Sequence, residues 1–293
     1  MAIDLHLHTA ASGDGELSPQ AIIHLAQENN LRTVAITDHD TVDNVAAAIH
    51  WGQNFGIEVI PGCEFSAGHQ GKWLHILGYY IDYEDPAIRE WCTSILAKRQ
   101  AIVNLQIDKL QAAGFYLDKD MLLANNPQPM PLAFAQAVFS DPRNKDNQLL
   151  NEYRKKDNYL VRFALDWLAS GKPYNIPVEL PAVEQVINLI RKSGGVPVLA
   201  HPAATLTPGE DKVLYDLVAM GLMGIEAFTT WHTAMQADYY YRFCNRHNLI
   251  FTCGSDFHGR SKPHIRIGQV TNNDYQIVNR LKQAASAVKK RML

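Results

Sequence analysis

The chain opens on an alternation. In Ile3-Asp4-Leu5-His6-Leu7-His8 apolar and polar residues take turns, the period of two that gives an extended strand two unlike faces. Ile3, Leu5 and Leu7 share one face; Asp4, His6 and His8 share the other. Apolar runs near 33–38, 57–60, 73–80, 196–200, 223–228 and 249–253 predict six more strands. Helical periodicity lies between them. In "LSPQAIIHLAQENN" Ser18 is the expected N-cap, Pro19 suits the first turn, and Ala21, Ile22, Leu25 and Ala26 form the expected buried stripe. Similar patterns run through "NVAAAIHWGQNFG", "ELPAVEQVINLIRKSGG", 209–221 and the tyrosine-rich stretch after 232. This rhythm predicts parallel strands with helices packed outside them. From about 84 to 170 the pattern turns helical and strand-poor, with the long "DPAIREWCTSILAKRQAIVNLQIDKLQAAGF" and a proline-rich break, "NNPQPMPLAF". The expected architecture is an α/β barrel built from 1–83 and 171–293, interrupted by a helical insertion over 84–170.

The polar residues fall at particular places. "HLHT", "TDHD", "GCEF", "LHILGY", "AHP" and "GSDFH" all lie at or near the expected C-terminal ends of strands, the rim on which α/β barrels assemble their active sites. They bring His6, His8, His39, His75, His201 and His258 together with Glu64 and Asp256. Imidazole and carboxylate suit zinc, manganese or iron. Alone, each of these histidines reads as a hydrogen-bonded structural residue, and His75, between Leu74 and Ile76, as a core histidine. Asp38 and Asp40 read as helix N-caps, Asp40 above all. Convergence of six strand ends favours a metal site instead. His24 and His50 sit within helices, and His69, His247 and His264 have no supporting pattern. His232, six residues after Glu226 on the loop following the sixth strand, faces the same rim.

Composition narrows the function classes. The 293 residues are 47% hydrophobic and carry a formal net charge of -3, so no global basic field holds a long nucleic acid. Cys63, Cys92, Cys244 and Cys253 are scattered without a CxxC pair and read as reduced thiols. No basic-then-apolar leader opens the chain and no apolar run is long enough to span a bilayer. A soluble, cytoplasmic protein with no membrane partner is expected.

The segments "DLHLHT", "DGELSP", "TDHDT", "PGCEFS", "LHILGYYID", "GKPYNIP", "VLAHP", "GIEAF" and "GSDFH" together resemble the PHP (polymerase and histidinol phosphatase) family, part of the amidohydrolase-like group, and in particular its stand-alone phosphoesterases with a helical insertion. The resemblance implies a distorted (β/α)7 barrel holding three divalent metal ions, with manganese expected and zinc or iron suited to the same ligands. It matches His6, His8, Glu64 and Asp256 to the first ion. Glu64 bridges to a second, completed by His75 and His201; Asp14, His39 and His258 match the third. Without the resemblance, Asp14 reads as a turn residue in "SGDGE", and its loop is one residue longer than the commonest family form. Nucleotide-acting relatives usually carry arginine, one residue, then histidine in the insertion; here Met130 and Leu132 stand at those places. Lys172 of "GKP", Arg143, Arg154, Arg162 and Arg260 are the alternative phosphate contacts, beside His232.

Three divalent ions against the carboxylates of Asp14, Glu64 and Asp256 leave a positive centre suited to phosphoryl oxygens. Metal coordination lowers the pKa of bridging water from ~15.7 toward ~7, so hydroxide is the expected nucleophile. His201, His232 and Asp256 are the residues expected beside the reacting group, with His201, His232 or metal-bound water as the acid. The expected function is a metal-dependent phosphoesterase acting on a small phosphorylated metabolite, as phosphomonoester or cyclic phosphodiester. A 5'-3' or 3'-5' exonuclease on short RNA or DNA is the alternative enzyme, disfavoured by the absence of a basic, aromatic groove. A non-catalytic, metal-stabilised regulatory module is the alternative outside enzymes. The insertion, leaving at the end of the fourth strand on the active-site rim, is expected to roof the metals. Oligomeric state stays open.

Overall fold

The structure, a computed structural model, describes residues 2–125, 129, 131–169, 171–177, 179–207 and 209–291. They form two compact units, Met1–Thr93 with Leu180–Leu293, and Ser94–Glu179. The first contains seven strands: β1 (Ala2–Leu7), β2 (Leu31–Ile36), β3 (Glu58–His69), β4 (Lys72–Tyr79), β5 (Val196–Leu199), β6 (Gly224–Thr229) and β7 (Ile250–Gly254). They pair in chain order. Past the end of β7, Phe257 O accepts from His8 N–H at 3.0 Å and Asp256 N–H donates to His6 O at 2.9 Å, which nearly closes a barrel.

The alternation in β1 holds. Ile3, Leu5 and Leu7 join the apolar core with Ile22, Ile23 and Ala26, while Asp4, His6 and His8 are equally buried on the other face. The helix α1 (Pro19–Glu28) starts as expected, with Ser18 Oγ accepting from Ala21 N–H at 3.3 Å. Its buried stripe is rotated slightly, Ile23 taking the place of Ala21 while Leu25 packs at the edge. A second helix, α2 (Val45–Phe55), follows β2. Asp40 is not its cap. Asn44 holds the N-cap position, and the Asp40 carboxylate instead accepts from Ser66 N–H on β3.

The expectation of parallel strands fails at β4, which runs antiparallel to both β3 and β5. Only Gln70 and Gly71 separate β3 from β4, both at positive φ (50° and 75°). A parallel partner needs a crossover of a dozen residues or so; two residues at positive φ make a hairpin. The reversal puts Tyr79, the end of β4, beside Gly62 and Val196, at the end of the barrel where β5 begins. The chain therefore leaves the barrel opposite the rim, not on it. It returns beside the hairpin, where Gly68 N–H donates to Pro181 O at 2.8 Å.

After β4 come α3 (Pro86–Ala112), α4 (Lys119–Asn125), α5 (Pro131–Ser140), α6 (Gln148–Arg154) and α7 (Tyr159–Phe163). The second unit has its own core, with Ile107, Leu110, Phe134, Val138, Leu150 and Phe163 among its buried residues. The Gln106 amide reaches Tyr174 O and accepts from Ile176 N–H at 3.2 Å, tying that unit's last segment to α3. Met130 lies outside the described residues, while Leu132 sits in the first turn of α5, exposed. The barrel unit continues with α8 (Val183–Lys192), α9 (Asp211–Ala219), α10 (Ala234–Arg246) and α11 (Gln276–Lys290). The last was not expected from the sequence, although Ile277, Val278, Leu281 and Ala285 form a helical apolar stripe that packs into the core. No described helix is long and apolar enough to cross a membrane.

Candidate metal centre

Glu64 stands at the middle of the rim. Its Oε2 lies 3.1 Å from His6 Nε2, 3.2 Å from His8 Nε2 and 3.1 Å from His39 Nδ1. Its Oε1 lies 2.9 Å from both His75 Nδ1 and His201 Nε2. Local structure explains the convergence. The segment Asp38–Asp40 extends β2 alongside β3, with Glu64 N–H donating to Asp38 O and Asp40 N–H donating to Glu64 O. Across the hairpin, His75 is paired with Ser66 and Leu77 with Glu64, so His75 and Glu64 are diagonal neighbours on one face. The reversal of β4 is what brings His75, the fourth residue of its strand, to the rim.

Asp256 completes the inner group, its Oδ1 3.3 Å from His6 Nε2 and 3.1 Å from His8 Nε2. Asp14 joins from its loop, with Oδ2 3.2 Å from His258 Nε2 and 3.7 Å from His39 Nε2. Three overlapping sets of ligand atoms result: His6, His8, Glu64 and Asp256; His8, Asp14, His39 and His258; and His39, Glu64 and His75. The structure thus brings together all nine residues that the sequence singled out.

The partners behind the rings set which nitrogen faces inward. His6 Nδ1–H donates to Glu226 Oε1 at 3.0 Å, and His258 Nδ1–H donates to Asp256 O at 2.8 Å. Ser12 gives its hydroxyl hydrogen to Asp38 Oδ1 and so accepts from His8 Nδ1–H at 3.0 Å. Each ring carrying its proton on Nδ1 turns the Nε2 lone pair to the cluster, the arrangement that metal-binding imidazoles require. His6 Nε2, His8 Nε2, His258 Nε2, Glu64 Oε2 and Asp14 Oδ1 are buried with no hydrogen-bond partner. Buried polar atoms are rarely left so, and a divalent cation satisfies this donor set. His75 fits less well. The Trp73 indole N–H donates to its Nε2 at 3.0 Å, which leaves the proton on Nδ1, facing Glu64.

Electrostatics agree. Burial by itself pushes the Glu64 and Asp256 carboxyls up, but the surrounding imidazoles outweigh it and hold both well below the usual carboxylate range. Burial likewise opposes charge on His8, yet Asp256 and Glu64 raise it to about 9, so without a cation the ring takes a second proton on Nε2, which a metal ion would displace. The cluster is therefore a set of ionised carboxylates that calls for positive charge at its centre. Its backbone is strained as well: Asp40, His201 and Asp256 hold positive φ of 49°, 23° and 57°, conformations that non-glycine residues keep only where surroundings impose them. Gly254 permits the close packing. A Cβ there would stand 2.2 Å from His6 Cβ and 2.7 Å from Glu226 Oε1.

The other expected site residues are engaged or belong to the second unit. His232 is not free to serve an incoming group: Nδ1–H donates to Ala227 O at 2.9 Å and Nε2 accepts from Ala203 N–H at 3.2 Å. Its ring holds the turn after His201. Arg143 is paired with Asp141 through both carboxylate oxygens, and Arg154 donates to Asn151 Oδ1 at 2.6 Å. Arg162 donates to Asp157 O at 2.9 Å. These three and the exposed Lys172 belong to the second unit. Arg260 is committed to Glu16. Sequence reasoning missed the supports Glu226, Ser12 and Asp38, and also Trp231 and Lys262, which both reach Asp256 Oδ2 at 2.7 Å. Glu226 had a readable signal, an acid inside the apolar strand "GIEAF".

Comparison with known proteins accords with this geometry. The PHP domain family model matches residues 4–163. The chain is 32% identical over 282 residues to the 5'-3' exoribonuclease Rnm of Salmonella typhimurium, covering 91% of this chain and 88% of that one. It is 29% identical to a phosphoribosyl 1,2-cyclic phosphate 1,2-diphosphodiesterase of Eggerthella lenta, covering 90% and 98%. Among solved structures, an amidohydrolase from Chromobacterium violaceum with bound sulfate superposes with a TM-score of 0.78 at 25% identity over 97% of each chain. With its nearly closed seven-stranded barrel and its ring of histidines around Glu64, the chain belongs to the PHP domain family of metal-dependent phosphoesterases.

Proposed function

We propose that this chain hydrolyses small phosphorylated metabolites, as phosphomonoesters or cyclic phosphodiesters, at a centre of up to three divalent ions. The observation that carries this is Glu64, whose two oxygens meet five imidazole nitrogens within 3.2 Å. His6, His8, Glu64 and Asp256 would hold one ion, and Asp14, His39 and His258 a second. Glu64, His75 and His201 would hold the third once Trp73 releases His75. Bound there, divalent ions supply Lewis acidity toward phosphoryl oxygens and an activated water at neutral pH. The chain's own groups do the rest. Glu226, Ser12 and the Asp256 carbonyl keep the rings of His6, His8 and His258 in one tautomer and orientation. Of the two histidines considered for proton delivery, His201 retains a ring nitrogen without a partner, Nδ1, and His232 does not.

Small substrates are favoured by the net charge of -3, which offers a long polyanion little attraction away from the centre. The likeness to Rnm supports a second reading, a 5'-3' exoribonuclease on short RNA. One experiment separates them: catalytic efficiency of the manganese- or zinc-loaded protein on a small-phosphate library and on single-stranded oligonucleotides, measured side by side. Small phosphates are expected to win. Clearly higher efficiency on oligonucleotides puts the exoribonuclease in their place, and no hydrolysis of either rejects both.

A further inference from the structure

Asp256 uses its two oxygens differently. Oδ1 faces the imidazoles of His6 and His8, whereas Oδ2 accepts from the Trp231 indole N–H and from Lys262 Nζ, each at 2.7 Å. The Lys262 ammonium also lies 5.3 Å from the centroid of the Trp231 ring, a cation–π distance. The indole in turn packs 5.7 Å from the ring of His201. Lysine, aromatic ring and carboxylate thus form one small assembly on the edge of the centre.

The turn that carries Lys262 is built into that edge. Ser261 Oγ bonds to Asp14 O and His258 O, Arg260 N–H donates to Glu16 Oε2 at 2.7 Å, and Lys262 N–H closes the turn on Gly259 O. An ammonium has three N–H donors. Asp256 Oδ2 takes one, and among the described residues no other oxygen accepts from Lys262. The side chain is 25% exposed, and its ammonium stands one carboxylate away from the ligand cluster. The five phosphate contacts expected besides His232 do not stand like this: Arg143, Arg154 and Arg162 are engaged within the second unit and Arg260 with Glu16, and Lys172 is an exposed residue of the second unit.

We infer that Lys262 is the cation that grips the phosphoryl group of the substrate, in the role left open by Met130 and Leu132. This rests on the phosphoesterase reading above and goes beyond it by naming the residue. Asp256 and Trp231 hold the ammonium at the edge of the centre, where a phosphoryl dianion drawn to the bound ions would also meet a flexible point-charge donor. Lysine suits such a site as a point charge rather than a planar fork.

The test uses the full chain loaded with manganese and inorganic phosphate as the probe, its binding measured by calorimetry and the metal content by elemental analysis. Lys262→Met is expected to weaken phosphate binding about ten- to a hundredfold, the scale of a charge-assisted hydrogen bond, at unchanged metal content. Lys262→Arg, which keeps the charge, is expected to recover most of that loss. Trp231→Phe removes the other donor to Asp256 Oδ2 without removing a charge, and its loss is expected to be much smaller. Wild-type phosphate affinity in Lys262→Met overturns the inference. So does loss of metal along with phosphate, or an equal loss in Trp231→Phe, because Lys262 then acts only by orienting Asp256. If the metal-loaded wild type binds no phosphate and hydrolyses no phosphate ester, the phosphoesterase reading itself has failed.

Discussion

At the scale of single residues, the centre depends on carboxylates that are costly to bury unless compensated. Glu64 is fully buried and its charge is balanced by the imidazoles around it. An isosteric amide keeps the shape and removes the charge. Glu64→Gln is therefore expected to lower phosphate release by orders of magnitude and to reduce bound metal, while circular dichroism shows the fold intact; near-native turnover would remove Glu64 from the centre. Asp14 reaches in from a loop and is partly exposed, so Asp14→Asn is expected to lose one metal equivalent and leave the inner group loaded. Unchanged metal content and activity in that variant would return Asp14 to the role of a turn residue.

At the scale of elements, the hairpin of β3 and β4 is where expectation and structure part. Apolar runs identified both strands, but direction followed from the two residues between them. The reversal has a chemical consequence at Trp73 and His75, which sit two apart on one face of β4. The indole N–H on His75 Nε2 opposes metal ligation through Nδ1, because the neutral ring then carries its proton on the wrong nitrogen. Trp73→Phe removes that donor. One neutral hydrogen bond is worth about 1 kcal/mol, so the ion held by His75 is expected to bind roughly fivefold more tightly. Titration calorimetry of metal into the metal-free protein reads this directly; unchanged or weaker binding would show that His75 does not ligate through Nδ1.

For the whole molecule, ligands drawn from β1, the extension of β2, β3, β4 and the segments after β5 and β7 make metal binding a property of the folded barrel rather than of any segment. Protons compete with ions for these groups. Since the carboxyls of Glu64, Asp256 and Asp14 are held below their usual range, the histidines are where acid acts: each proton taken up lowers affinity, so lowering the pH releases metal. Activity is expected to fall on the acid side, with a midpoint that moves to lower pH as free manganese is raised. A chelator should lower the melting temperature at neutral pH, and added manganese should restore it. An acid limb indifferent to metal concentration would mean that it reports some other group.

The amino-acid sequence by itself determined the strands, the helix start at Ser18 and eight residues of the centre, while Asp14 was legible only through the family resemblance. The eight are matters of period and position: a two-residue alternation places His6 and His8 on one face whatever surrounds them, and polar residues at strand ends have nowhere to go but the rim. Strand direction at β4, the exit of the insertion away from the rim and the supports behind each ligand were decided only by tertiary structure. Glu226, Lys262 and Trp231 lie far along the chain from His6 and Glu64, and no local period connects them. Their roles come from barrel closure, which sets β6 and the loops after β6 and β7 against β1. Closure likewise decided that His232, legible as a rim residue, spends both ring nitrogens on backbone groups of Ala227 and Ala203, because a partly buried imidazole takes the nearest donor and acceptor that the fold offers.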